Sequence, residues 1–149
     1  MSAIQPTSRA AARWLATCIL ATTSALAQVH AADLAVTVKG ARSAQGLVLV
    51  ALYDGPETFL KPGKHAGVQM APADVEAVTV VFRNLPAGRY AITTFHDENT
   101  NGKLDFNLTG SPVEALGFSN DAFGVAAAPA FDKAVIDLTA DAAITVQLR

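Results

Sequence analysis

From Asp33 onward, apolar side chains recur at every second position in short runs, and this period is the strongest constraint on the fold. Leu34, Val36 and Val38 alternate with Ala35, Thr37 and Lys39. Successive side chains of an extended chain point to opposite faces, so this pattern predicts a half-buried strand. Gly46 to Tyr53 is apolar on both faces and predicts a central strand. Ala77 to Phe82 is rich in β-branched residues, and Gly88 to His96 forms the next extended run. Pro86-Ala87-Gly88 makes a tight connection between them, because proline fixes φ and glycine permits a positive one. Ala134 to Leu138 and Ala143 to Leu148 predict a further pair, with Ile144, Val146 and Leu148 alternating with Thr145 and Gln147. These make six strands, with a seventh predicted over Val68 to Met70. Strands at this spacing, without helical periodicity, predict an all-β fold: an antiparallel β-sandwich of six to seven strands.

Two stretches break the pattern. Asp54 to Gly67 is a Pro/Gly loop that holds Phe59. Asp97 to Ala130 is far longer than a hairpin connection needs and predicts one long structured loop. Such loops in compact domains either carry function or cover an end of the sandwich. Phe106, Phe118 and Phe123 lie inside it and are expected to form its core. Exposed together, they would instead offer a surface to a carbohydrate or a hydrophobic partner.

The start of the chain has a different composition. Arg9 and Arg13 precede an apolar stretch from Trp14 to Ala27. This is the length of a signal-peptide core and falls short of the roughly 20 apolar residues of a membrane span. Ala25-Leu26-Ala27 offers a cleavage site before Gln28, and His30-Ala31-Ala32 offers another before Asp33. The expected organisation is a signal-peptide helix over residues 1–27, followed by one β-sandwich domain over residues 28–149. Cys18 is the only cysteine and lies within the apolar core, so the mature chain is expected to carry neither disulfide nor thiolate metal site. Two of the eleven bases leave with the signal, and nine then face thirteen acids, a net charge of −4. A chain of that charge without a basic cluster is a poor partner for nucleic acid or an anionic membrane. A periplasmic or secreted location is expected, with no transmembrane span in the mature chain.

One segment of the long loop carries distinctive chemistry. In "DENTNGKLD", oxygen-bearing side chains stand at Asp97, Asn99, Asn101 and Asp105, with Gly102 directly after the third. Counting Asp97 as one, these are positions one, three, five and nine, with glycine at six, the oxygen spacing of calcium loops. Lys103 at position seven would supply its carbonyl. Position twelve is Leu108 rather than a bidentate Glu, and a strand rather than a helix precedes the loop, so this is not an EF-hand. The site needs another ligand, and Glu114 is the nearest downstream. The few charges imply calcium affinity of about 10⁻⁴ to 10⁻³ M. The competing reading is a metal-free loop of Asx-turns, in which Asp and Asn bond their own backbone.

Other candidates are weaker. His30, His65 and His96 show no paired metal-ligand spacing, and His96 reads as a polar edge residue or a partner of the loop. Asp97, Glu98, Asp105 and Glu114 could supply a carboxylate pair for glycoside hydrolysis, but nothing fixes their separation. Ser119 stands in "GFSND", not in a G-x-S-x-G nucleophile turn, and predicts a turn with Asn120 and Asp121.

"LPAGRYAITTFHDENTNGKLD" (Leu85 to Asp105), "GFSNDAFG" (Gly117 to Gly124) and "GLVLVALYDGPETF" (Gly46 to Phe59) resemble a bacterial exported family known as domain of unknown function 2141. The resemblance spans almost all of the chain beyond the signal and implies a periplasmic or secreted protein without supplying an activity. The Leu85-Pro86-x-Gly88-x-Tyr90 turn is similar to that of transthyretin-like and carboxypeptidase-regulatory-like sandwiches, where it is structural. The expected function is an exported, non-catalytic module with a weak calcium site. The alternatives are a metal-free interaction or structural protein binding an envelope protein or polymer, and a small enzyme acting on an envelope polymer.

Overall fold

A computed structural model describes residues 31–124 and 127–149. The segment expected to be a signal peptide, Cys18 and the expected cleavage site after Ala27 lie outside the described residues. Among the described residues eight strands follow one another: β1 (Ala31–Lys39), β2 (Leu47–Tyr53), β3 (Gly67–Pro72), β4 (Val78–Pro86), β5 (Gly88–Asp97), β6 (Leu116–Phe118), β7 (Val135–Leu138) and β8 (Ala142–Gln147). A 3₁₀ turn at Ser119–Asp121 and the four-residue helix α1 (Phe131–Ala134) lie between β6 and β7. None of the described helices is long and apolar enough to cross a membrane.

The strands form two sheets. One holds three strands in the order β4-β1-β8, the other five, in which β3-β2-β5-β6 run in order and β7 also pairs with β5. β6 and β7 lie end to end along the edge of β5 away from β2: β6 pairs with Thr93 to Phe95 and β7 with Gly88 to Ala91. All pairings are antiparallel except that of β1 with β8. The sequence pairs the last two strands with each other, but the structure sends β7 to β5 in one sheet and β8 to β1 in the other. Both strands are short, and each finds a longer strand edge to complete.

The period-two residues face the space between the sheets. Leu34, Val36 and Val38 of β1 meet Val48, Val50 and Leu52 of β2, with Phe82, Ile92 and Val146 filling in from β4, β5 and β8. Each fully buried Val or Leu stabilises the fold by about 1.5–3 kcal/mol. The turn at Pro86-Ala87-Gly88 is not a hairpin. It carries the chain from β4 in one sheet to β5 in the other, and the Tyr90 hydroxyl donates to the Pro86 carbonyl at 2.8 Å to hold the corner. The long loop contains β6 and the 3₁₀ turn, so part of it is built into the sheet. The predicted all-β sandwich with one long structured segment is the architecture observed.

Candidate functional site

The Asp/Asn segment begins at the end of β5, where the strand delivers two polar side chains into the interior. His96 and Asp97 are both fully buried. The turn that precedes β2 packs on this strand end. Gly46 sits there at φ +76°, and a Cβ at that position would collide with the Asp97 carbonyl oxygen. Only glycine tolerates both the conformation and the approach.

His96 clamps this turn. Its Nδ1 accepts the Arg42 backbone N–H at 3.2 Å, so the proton is on Nε2, which donates to the Gln45 carbonyl at 2.7 Å. The Glu98 carboxylate lies 3.8 Å from Nδ1. The sequence reading of His96 as an edge residue is corrected: the strand continues one residue past it, and the Arg42–Gln45 turn covers it. With both ring nitrogens engaged, His96 joins the backbone of two segments and presents no free lone pair to a metal.

Asp97 organises the loop. Its Oδ1 accepts the backbone N–H of Asn101 at 3.1 Å and its Oδ2 that of Gly102 at 2.7 Å. A buried carboxylate is tolerated because such charge-assisted bonds replace its hydration. Asn99 Oδ1 also accepts from Asn101 N at 3.0 Å, and Asn101 Oδ1 accepts from Lys103 N at 2.8 Å. Thr100 (φ 59°) and Gly102 (φ 76°) supply the left-handed conformations that the bend requires.

The side chains converge further on. Asn99 Nδ2 donates to Asp105 Oδ2 at 2.7 Å, and Asn101 Nδ2 reaches the two Asp105 oxygens at 3.1 and 2.9 Å. Glu114, expected as a further ligand, lies against the same loop. Its Oε1 accepts from Glu98 N and its Oε2 from Asp105 N, each at 3.1 Å, so one largely buried carboxylate staples both ends of the loop. Lys103 is bonded through its backbone, and its side chain is exposed. The structure thus gathers Asp97, Asn99, Asn101, Lys103, Asp105 and Glu114 into one constellation.

The donor set is hard oxygen, of the kind calcium prefers. Among the described residues, however, no three His, Cys, Asp or Glu side chains stand close enough together to share a metal ion. A cation here would depend on carboxamide and carbonyl oxygens, and Asn99 and Asn101 would have to turn Oδ1 rather than Nδ2 toward Asp105.

The remaining candidates divide. Ser119 is fully buried; its Oγ accepts Ile92 N at 2.9 Å and donates to the Ala134 carbonyl, as a structural turn residue should. Phe118 is buried and meets Phe123 edge to face at 5.3 Å, as expected of loop core. Phe106 departs from that expectation and is 57% exposed, because the segment around it pairs only with Pro112.

No curated protein and no solved structure matches the chain. The likeness of the Leu85 to Tyr90 turn to transthyretin-like sandwiches therefore rests on those residues alone. A family model described as "Uncharacterized protein conserved in bacteria (DUF2141)" matches residues 36–147, from the middle of β1 to the end of β8. That span takes in both sheets and the whole polar loop, and the chain belongs to the DUF2141 family.

Proposed function

We propose that this protein is an exported, non-catalytic β-sandwich module whose Asp97–Asp105 loop takes up calcium weakly. The supporting observation is the convergence of Asn99 and Asn101 on the Asp105 carboxylate, inside a loop shaped by Asp97 and stapled by Glu114. The four Asp97 and Glu114 oxygens and Asp105 Oδ1 each accept one N–H and keep a second lone pair, and that is the capacity a cation would use. With carboxylates at Asp97, Asp105 and Glu114 and an opposing ammonium at Lys103, affinity falls at the weak end, about 10⁻⁴ to 10⁻³ M. Such a site fills only where calcium is plentiful, which fits export to the periplasm or beyond. Cleavage after Ala27 keeps β1 whole, whereas cleavage after Ala32 would remove Ala31 and Ala32, which pair with Pro86 and Leu85.

Calorimetry and thermal melting with calcium test the reading. At calcium ten times the Kd, the folded state gains about 1.4 kcal/mol, a rise in Tm of about 5 °C for a domain of this size. Magnesium, which dehydrates reluctantly and demands octahedral geometry, should give a smaller shift. No heat and no shift at millimolar calcium would end it.

A metal-free interaction module is the second reading. It is favoured by the observation that the loop oxygens already have N–H partners; the only buried side-chain polar atom without one among the described residues is Thr94 Oγ1. On this reading, protease resistance of the loop is the same with calcium and with a chelator. No observation favours an enzyme acting on an envelope polymer: Asp97 and Glu114 face backbone amides, and the Ser119 hydroxyl is enclosed by backbone.

A further inference from the structure

An antiparallel sheet with one face on the core presents polar side chains on the other. The five-stranded sheet does not. Two rows run across its outer face in register: Met70, Leu49, Phe95 and Leu116, then Val68, Ala51, Thr93 and Phe118. Only Thr93 is polar. One side of this face is covered by an aromatic cluster of Tyr53, Phe59, Phe118 and Phe131. The rest is open, with Leu49, Ala51 and Phe95 half-buried and Met70 60% exposed.

Two adjoining clefts lie against this face, of about 580 and 490 Å³. Both volumes fall within the range of small-molecule sites. They share one ridge of Leu60, Leu104 and Phe106, supplied by the two irregular loops. Beyond the ridge the first cleft is walled by Phe118 and Phe123, and the second by Phe95 and Lys103. Leu60 holds φ 59°, a left-handed conformation that is unfavourable for a bulky residue. Such strain persists where the surrounding structure needs the side chain in place.

The charge pattern identifies the occupant. The chain has thirteen acids to eleven bases, yet among the described residues no carboxylate lines either cleft. Lys103 is the one charged side chain among the described lining residues, and it makes no ion pair with any described residue. A fitting ligand is apolar along most of its length and anionic at one end. We propose that the outer face of the five-stranded sheet binds a free long-chain fatty acid, its chain along the Phe106 ridge toward Phe118 and Phe123 and its carboxylate at Lys103. The ligand would meet the Lys103 side chain and the calcium reading uses that residue's backbone carbonyl, so the two readings share one residue, but neither requires the other.

The test is calorimetric titration of sodium dodecanoate into the protein in the form that accumulates in its expression host, in a chelator-containing, detergent-free buffer. Saturable one-to-one binding is expected. Lys103→Glu should weaken it about tenfold or more, as should replacing the ligand by uncharged 1-dodecanol. Phe106→Asp, at an exposed position, should abolish it, and Lys39→Glu at the end of β1 should leave it unchanged. Circular dichroism establishes that each variant is folded, and if Phe106→Asp is not, Lys103→Glu and the alcohol decide. No binding by the folded protein, equal binding by Lys103→Glu, or binding to phospholipid vesicles but not to monomeric dodecanoate would overturn the proposal. Because calcium is chelated throughout, failure of the calcium reading leaves this result standing, and the reverse holds for melting in calcium without fatty acid.

Discussion

β5 anchors a long irregular segment at two places, and the two anchors use opposite chemistry. At its end, Asp97 and Glu114 are ionisable carboxylates that between them accept four backbone N–H groups. Near its middle, Ser119 is a neutral hydroxyl that takes the Ile92 amide and gives its proton to Ala134, while Asn120 Nδ2 donates to the Val135 carbonyl at 2.7 Å. The neutral anchor adjoins aromatic packing and has spent its one proton. The charged anchor borders solvent through Asn99, Asn101 and Asp105 and keeps lone pairs beyond those its N–H donors use. Both hold a segment in place, but only the charged anchor keeps acceptors that a cation could use.

Substitutions rank the two anchors. Asp97→Ala leaves the Asn101 and Gly102 amides without their acceptor and should cost about 3 kcal/mol in chemical denaturation, with any calcium response lost. Ser119→Ala strands the Ile92 amide and the Ala134 carbonyl in apolar surroundings and should cost about 2 kcal/mol, with any calcium response intact. If the serine variant proves the more costly, the charged bonds are not the stronger anchor. Glu114→Gln keeps the shape but turns an NH₂ group toward one of two N–H donors. A loss of about 1–2 kcal/mol is expected, together with a weaker calcium shift in melting experiments. Arg89→Ala removes exposed contacts to Asp132 at 2.8 Å and Asp137 at 3.7 Å and should cost about 0.5 kcal/mol. It serves as the reference for exposed ion pairs, with a guanidinium that also lies 5.7 Å from the Phe131 ring.

The most gradual effect concerns pH. Burial raises the hydroxyl pKa of Tyr53 above its ordinary value, with the Thr93 hydrogen bond opposing; burial and then the Asp54 charge raise that of Tyr90. Both groups are therefore easier to ionise in the unfolded chain. Their contribution to stability is complete below about pH 10, the unfolded value, and is lost as pH rises through the folded values. Denaturation midpoints should hold up to that pH and fall above it. A Tyr53→Phe variant should show a shallower fall, and a fall as steep as that of the unaltered protein would refute the burial effect at Tyr53.

Much of this architecture is legible in local pattern. Leu34, Val36 and Val38 are buried because a strand with one wet face has no other way to place them. β2 is apolar on both sides because its outer face also lies under protein in part, against Phe59 and its neighbours. The Asp/Asn run bends at Gly102, and Asn99 and Asn101 each accept a backbone N–H two residues on, the local bonding that Asx-turns predict. His96 was harder to read, since its burial depends on the Arg42–Gln45 turn, more than fifty residues earlier in the chain. Phe106 was likewise expected inside, and its exposure follows from the sparse pairing of its segment.

The sequence by itself determined which residues alternate, where the chain must bend and which segment gathers oxygen side chains, because all three depend on neighbours a few positions apart. Only the tertiary structure decided that β7 and β8 part into different sheets, that Glu114 reaches back to staple Glu98 to Asp105, and that two distant loops raise a ridge over an apolar sheet face. Those outcomes are set by competition among strand edges and by contacts between segments far apart in the chain, and no local period encodes them.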